Sequence, residues 1–207
     1  MRSKVTAGLF GALVLVSGVA SVNALAATAK PAAKAAAPAA TGSNWVVNKA
    51  ASSIVFKSNF DGEDFQGRFN AWDAQISFDP KNVAAAKVTA TINTGSAKTG
   101  DPSRDESMPT GQWFDVAKFP KASFTSTSWK DLGGGKYQVA GNLTLHGVTQ
   151  PVTLPMSIAI AGNTAKANGA VTLDRSKFGV GGGQFRSAET IPFAVQVVIA
   201  ITATRGK

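Results

Sequence analysis

The chain has 207 residues, no Cys and a single His, which excludes disulfide scaffolds, thiolate metal sites, cysteine nucleophiles and any site needing two imidazoles. With 44% apolar and 16% charged residues it is too hydrophobic to be disordered throughout, and its length allows one large domain or two small ones. The formal net charge of +9 invites a nucleic-acid reading, but the placement of the charges argues against it.

Two of the cations, Arg2 and Lys4, precede an apolar run from Val5 to Val22 that includes Leu9, Phe10, Leu13, Val14, Leu15 and Val16. The small-x-small triplet Ala24-Leu25-Ala26 follows, so residues 1–26 are expected to be a signal peptide cleaved after Ala26, with export to the periplasm. A membrane anchor is the competing reading; Gly8, Gly11, Ser17, Gly18 and Ser21 interrupt the run and leave it barely long enough to span. Without Cys there is no lipoprotein anchor. The leader holds no acidic residue, so the mature chain keeps a net charge of +7, dispersed along its length and removed by export from any nucleic acid. Residues 27–43, with nine Ala, Pro31, Pro38, Lys30 and Lys34, read as a linker stiffened by proline. An Ala-rich helix is the alternative, and Pro38 would interrupt it.

From Trp45 onward apolar residues recur at period two, the signature of half-buried strands. The early runs are Ile54-Val55-Phe56, Phe65/Gly67/Phe69, Ile76/Phe78, Val88/Ala90/Ile92 and Phe124. Then come Tyr137/Val139/Gly141/Leu143/Leu145, Val152/Leu154/Met156/Ile158/Ile160 and Val171/Leu173. Ile191, Phe193, Val195, Val197, Ile199 and Ile201 close the series. Asp79-Pro80-Lys81-Asn82, Leu132-Gly133-Gly134-Gly135, Gly147-Val148 and Gly162-Asn163 punctuate them as turns. Eight or nine short strands with tight turns predict an all-β antiparallel meander that closes as a barrel or folds as a sandwich. Thr99 to Pro120 does not alternate and reads as a short helix or lid.

The order of several motifs is similar to that of the YceI-like family of bacterial secreted, lipocalin-like, polyisoprenoid-binding proteins. Trp45 before Ser52-Ser53-Ile54-Val55-Phe56 looks like the family's opening strand, and Gly67-Arg68-Phe69 with Ile76-Ser77-Phe78-Asp79 like its second hairpin. Arg104-Asp105, Trp113-Phe114-Asp115-Val116 and Phe119-Pro120 resemble its central signature. Phe124-Thr125-Ser126-Thr127, the stretch Gly141 to Val152 and Asp174 to Val180 complete the match, which spans Trp45 to Arg205. One departure stands out: the family commonly has a His where this chain has Asn59, which puts in doubt any headgroup role of that imidazole. The resemblance implies one domain, residues 44–207, forming an eight-stranded antiparallel barrel with a short helix or lid and an apolar tunnel for an isoprenoid or acyl chain.

An eight-stranded barrel has room either to fill with side chains or to hold one slender ligand. Eight of the twelve Phe fall between Phe56 and Phe124. The residues expected to line a tunnel are Phe56, Phe65, Phe69, Phe78, Ile92 and Phe124 on the early strands, and Leu143, Leu145 and Met156 on the later ones. Met108, Trp113 and Phe114 would contribute from the lid, with Arg104 as the headgroup contact and Asp105 as its orienting partner. Each has a plainer reading. Inward Phe usually fills a core, Arg104-Asp105 is commonly a helix-start ion pair, and Trp113 and Phe114 could simply plug the barrel end. His146 beside a turn glycine reads as a solvated edge residue, and Arg175 as a strand-end cap.

Gly179-Val180-Gly181-Gly182-Gly183 lacks the Lys-Ser/Thr and the helix of a phosphate loop. Asp61, Glu63 and Asp64 fit no calcium-loop spacing, and no Gly-x-Ser-x-Gly elbow accompanies His146. The expected function is therefore non-enzymatic. What the resemblance implies is binding, transport or storage of an amphiphilic isoprenoid, quinone or acyl lipid, with no metal or cofactor. Broad sequestration of hydrophobic compounds under stress is the alternative. A third reading is an accessory partner of a membrane cytochrome or anionic membrane surface, drawn by the positive charge. A second copy of the chain, paired through a strand edge, is a further partner the sequence leaves open.

Overall fold

The computed structural model describes residues 44–206, and the expected leader and linker lie outside the described residues. Among the described residues eleven strands run in chain order: β1 Asn44–Val47, β2 Ser53–Phe60, β3 Glu63–Phe69, β4 Trp72–Ser77, β5 Lys87–Asn93, β6 Ala97–Lys98, β7 Lys121–Gly133, β8 Lys136–Leu145, β9 Val148–Ala161, β10 Thr164–Asp174 and β11 Ala194–Arg205. The one α-helix among the described residues, α1, spans Pro102–Ser107. Every pairing is antiparallel, and β1 meets both β4 and β11, which closes the sheet.

The closed barrel has eight staves because three of them are interrupted. The segments β1 and β2 share β11 as a neighbour, pairing with Ala203–Arg205 and Ala200–Gln196. The β3 and β4 segments form the next stave, against β6 and β5 in turn. Each break falls at an asparagine. Asn48 accepts from the Ala51 amide and Asn93 from the Gly95 amide, while Asn70 opens the step between β3 and β4. Such side chains offer the backbone a local partner in place of the ladder.

Side-chain alternation holds along the unbroken strands, and β9 alternates between exposed and half-buried along most of its length. A register shift between Ser126 and Ser128 breaks the period on β7. Phe124 and Trp129, of opposite parity in sequence, both line the barrel interior as a result. The final run also differs from expectation: β11 starts at Ala194, and Ile191 is buried before the strand begins.

The two ends of the barrel are built differently. At one end Trp45, Phe78 and Tyr137 form a buried plug. The indole Nε1 of Trp45 donates to the Phe78 carbonyl at 2.9 Å, and the Phe78 ring stands 5.3 Å from Trp129 and 5.2 Å from Tyr137. Burial pushes the Tyr137 phenol above its ordinary value, with Asp131 adding to the rise. The other end carries the long connections, residues 94–120 and 175–193, and these form a cap.

Candidate functional site

Between plug and cap lies a cavity of about 1100 Å³. The interior is therefore a lumen and not a filled core, and its size is that of a pocket holding a whole small ligand. Its walls are apolar: Ile54, Phe56, Ile76, Val88, Leu154, Val197 and Ile199 among others face inward from the staves. Of the fourteen residues expected from sequence, thirteen line it: Phe56, Phe65, Phe69, Phe78, Ile92, Arg104, Met108, Trp113, Phe114, Phe124, Leu143, Leu145 and Met156.

The exception is Asp105. Its carboxylate turns away from the lumen and accepts from the Thr99 amide at 2.7 Å and the Thr99 hydroxyl at 2.8 Å. The Thr99 amide is the main reason that its pKa lies below the ordinary carboxylate value. Arg104 is oriented instead by Asp101, whose carboxylate lies 3.3 Å from Nη2 and also caps α1 by accepting from the Arg104 amide at 2.9 Å. The helix geometry explains the correction: the N-cap residue sits three positions before Arg104, on its side of the turn, whereas the adjacent Asp105 projects elsewhere.

The open bore depends on small residues. Gly67 faces Phe56 across the β2–β3 ladder, and a Cβ there would overlap the Phe56 ring. Gly169 stands in the same relation to Met156, and Gly141, paired with Ser126, lies diagonally beneath the Phe124 ring, which a Cβ there would overlap. In each case a large side chain lies along the wall over a glycine rather than across the lumen. Ala165, Ala167 and Ala203 keep the wall low towards the plug.

The cap joins two segments. The Gly181 and Gly182 amides donate to the Gln112 carbonyl at 2.9 and 2.6 Å, and the Trp113 and Phe185 rings meet at 5.0 Å. Arg175 anchors the second segment. Only 4% exposed, it donates to the carbonyls of Pro192, Val180, Gly181, Ser187 and Ile191. Its guanidinium packs on the Phe193 and Trp113 rings at 5.2 and 5.8 Å. Burial lowers its pKa, and it faces the lumen rather than serving as a simple strand-end cap.

His146 is likewise not a solvated edge residue. Its Nδ1 lies 3.2 Å from the Phe178 carbonyl and its ring 4.9 Å from Phe119. Asn59 points out of the barrel: its side chain donates to Asp64 and accepts from the Gly62 amide, closing the β2–β3 turn. Asn59, where the resemblance implies a His, thus lies outside the lumen.

Many wall residues lie outside the sequence-derived set, among them Ser58, Trp129 and Arg175. Ser58 sits two positions after Phe56 and was reachable by parity. Trp129 was hidden by the bulge on β7. Arg175 lies in a segment whose sequence carries no period. Among the described residues, the Ser58 Oγ, Arg104 Nε and Trp129 Nε1 atoms are buried with no hydrogen-bond partner.

A YceI-like domain model matches residues 45–203. The chain belongs to the YceI-like family. Curated relatives include the UPF0312 protein of Vibrio vulnificus, 40% identical over 127 residues, which are 60% of this chain and 67% of that protein. A UPF0312 protein of Yersinia pestis is 48% identical over 97 residues, covering 47% and 50% of the two chains. The matched stretches thus span about half to two thirds of those proteins. The crystal structure of Burkholderia cenocepacia BcnA superposes with a TM-score of 0.74 at 32% identity, over 76% of this chain and 99% of that one. A polyisoprenoid-binding domain from Saccharophagus degradans, implicated in plant cell wall breakdown, shares the fold with a TM-score of 0.63 at 17% identity, over 79% and 99% of the chains. No helix among the described residues is long and apolar enough to cross a membrane.

Proposed function

We propose that this YceI-like protein is a periplasmic carrier that holds one long hydrophobic chain, an isoprenoid or related acyl lipid, inside its barrel. The observation that carries this reading is the apolar lumen of about 1100 Å³, kept open by the glycines beneath Phe56, Phe124 and Met156. A protein with no use for the space would gain several kcal/mol by filling it. The polyisoprenoid-binding neighbour from Saccharophagus degradans supports the same class of ligand. Each methylene withdrawn from water contributes about 0.8 kcal/mol, so about ten offset an association cost of several kcal/mol. No covalent step is needed, and the expected leader would deliver the domain to a compartment where such chains need a container.

The test is to purify the exported protein, extract it with organic solvent and weigh the extract by mass spectrometry. A stoichiometric long-chain compound is the expected result. An empty extract, together with failure of the delipidated protein to take up any prenyl or acyl probe, would sink the proposal. Competition among unrelated hydrophobic probes separates a dedicated carrier from a general scavenger, which would bind them all with similar affinity.

A further inference from the structure

The fold gathers towards one end a positive charge that is dispersed along the sequence. The closed end, around Trp45, Phe78 and Tyr137, is surrounded by cations carried on separate turns. Lys81 lies in the β4–β5 turn just after Phe78, Lys130 and Lys136 flank the β7–β8 hairpin beside Tyr137, and Lys166 follows the plug residue Ala165 on β10. All four are exposed, and none has an ion-pair partner among the described residues. Lys87 and Arg205 add charge at the same end. Two carboxylates oppose them, and each is bound to its own turn: Asp79 accepts from the Lys81 amide at 2.9 Å and Asp131 from the Gly133 amide at 2.8 Å. The capped end is different. There Lys98, Arg104 and Lys118 each face a carboxylate, of Asp105, Asp101 and Asp115, and Asp61, Glu63 and Asp64 cluster at the tip of the β2–β3 hairpin.

The closed end also carries the two most exposed large apolar side chains among the described residues, Val46 at 60% and Leu132 at 55%. Val46 adjoins Trp45 on β1, and Leu132 stands near the tip of the β7–β8 hairpin between Lys130 and Lys136. Residues 27–43 lead into β1 at this end and add Lys30 and Lys34 with no carboxylate. Apolar tips set among lysines suit a lipid interface, where the tips enter the acyl boundary and the ammonium groups meet phosphate. An acidic protein surface would answer the lysines but would set hydrated carboxylates against the two apolar side chains.

We propose that the closed end of the barrel docks on an anionic phospholipid surface, with Leu132 and Val46 dipping into the headgroup boundary and the surrounding lysines lying against lipid phosphates. Docked in this way, the barrel stands with its mouth turned away from that membrane, open to whatever delivers or receives its contents. The contact does not depend on what the lumen holds.

The experiment sediments the exported protein with vesicles of phosphatidylcholine alone and of phosphatidylcholine containing about a third phosphatidylglycerol. The protein should bind the anionic vesicles and not the neutral ones, and binding should weaken steeply as salt rises past physiological strength. Lys130→Glu combined with Lys136→Glu should weaken it roughly tenfold or more, since each cation at such a surface contributes about fivefold. Leu132→Ser should weaken it several-fold at unchanged charge. Lys121→Glu combined with Lys177→Glu makes the same reversal at the capped end, well beyond the screening length, and should change it by less than about twofold. No binding to either vesicle, equal binding to both, or loss of binding in the capped-end variant alone would overturn the proposal. So would binding of soluble polyglutamate without binding of anionic vesicles, a result that assigns the lysines to an acidic protein instead.

Discussion

Phe56 lies over Gly67, its partner across the β2–β3 ladder, so closely that a Cβ at residue 67 would stand 2.7 Å from the ring's Cε atoms and nearer still to Cζ. The ring hugs the barrel wall because its neighbour has no side chain. Gly67→Ala therefore forces Phe56 off its place and into the bore, as Gly141→Ala does to Phe124. Each substitution should destabilise the fold by about 1–3 kcal/mol and weaken uptake of long chains roughly tenfold or more. Chemical denaturation and chain titration measure the two effects on the same samples. Unchanged uptake by a folded Gly67→Ala variant would show that the ring does not set the bore.

Arg175 is the pin of the cap. Arg175→Met strips partners from carbonyls of Pro192, Val180, Gly181, Ser187 and Ile191 at once, and should cost about 3–5 kcal/mol. Arg175→Lys should recover little, since an ammonium has three donors and no planar fork. Hydrogen exchange should show the loss first in residues 180–192, before the staves loosen. Uniform loosening of the whole barrel would refute a role centred on the cap.

Acid should act on the base of the lid. The Thr99 amide holds the Asp105 carboxyl below its unfolded value, so the interaction contributes fully above that unfolded value, near pH 4, and is lost as pH falls through the lower, folded one. Asp105→Asn should lower the melting temperature at neutral pH and flatten its decline below about pH 4. Parallel melting curves of the variant and the unmodified protein at pH 2 to 7 would contradict this.

The plug can be tested by excavation. Phe78→Ala removes the ring shared by Trp129 and Tyr137 and should cost about 3–5 kcal/mol. It also lengthens the lumen, so the variant should accept chains several carbons longer than the unmodified protein does. The longest chain bound, read by native mass spectrometry, decides the point.

Sequence alone revealed most of the wall. Period two is a direct consequence of the pleat, and the lumen-lining Phe56, Phe65, Phe69, Phe124, Leu143 and Met156 all follow from it. It failed where that regularity is broken. The bulge at Ser126–Ser128 moved Trp129 to the interior against its parity. The first half of β10 went unread because its inward residues, Ala165, Ala167 and Gly169, are too small to register as an apolar stripe. Residues 175–193 were opaque for a different reason: their order comes from one arginine's bonds to distant carbonyls, and carbonyl positions leave no trace in side-chain chemistry. Arg104 pairs with Asp101 and not with the chain-adjacent Asp105, because the turn of the helix, rather than adjacency in the chain, decides which side chains meet.

The bond from Trp45 to the Phe78 carbonyl makes the barrel a sleeve with one door. On the carrier reading, an amphiphilic chain would go in tail first and come out head first, past Gln112 under the cap. Any donor or acceptor of such a cargo would then handle the head, and exchange between two such sleeves would need them to meet mouth to mouth or to share a membrane between their mouths.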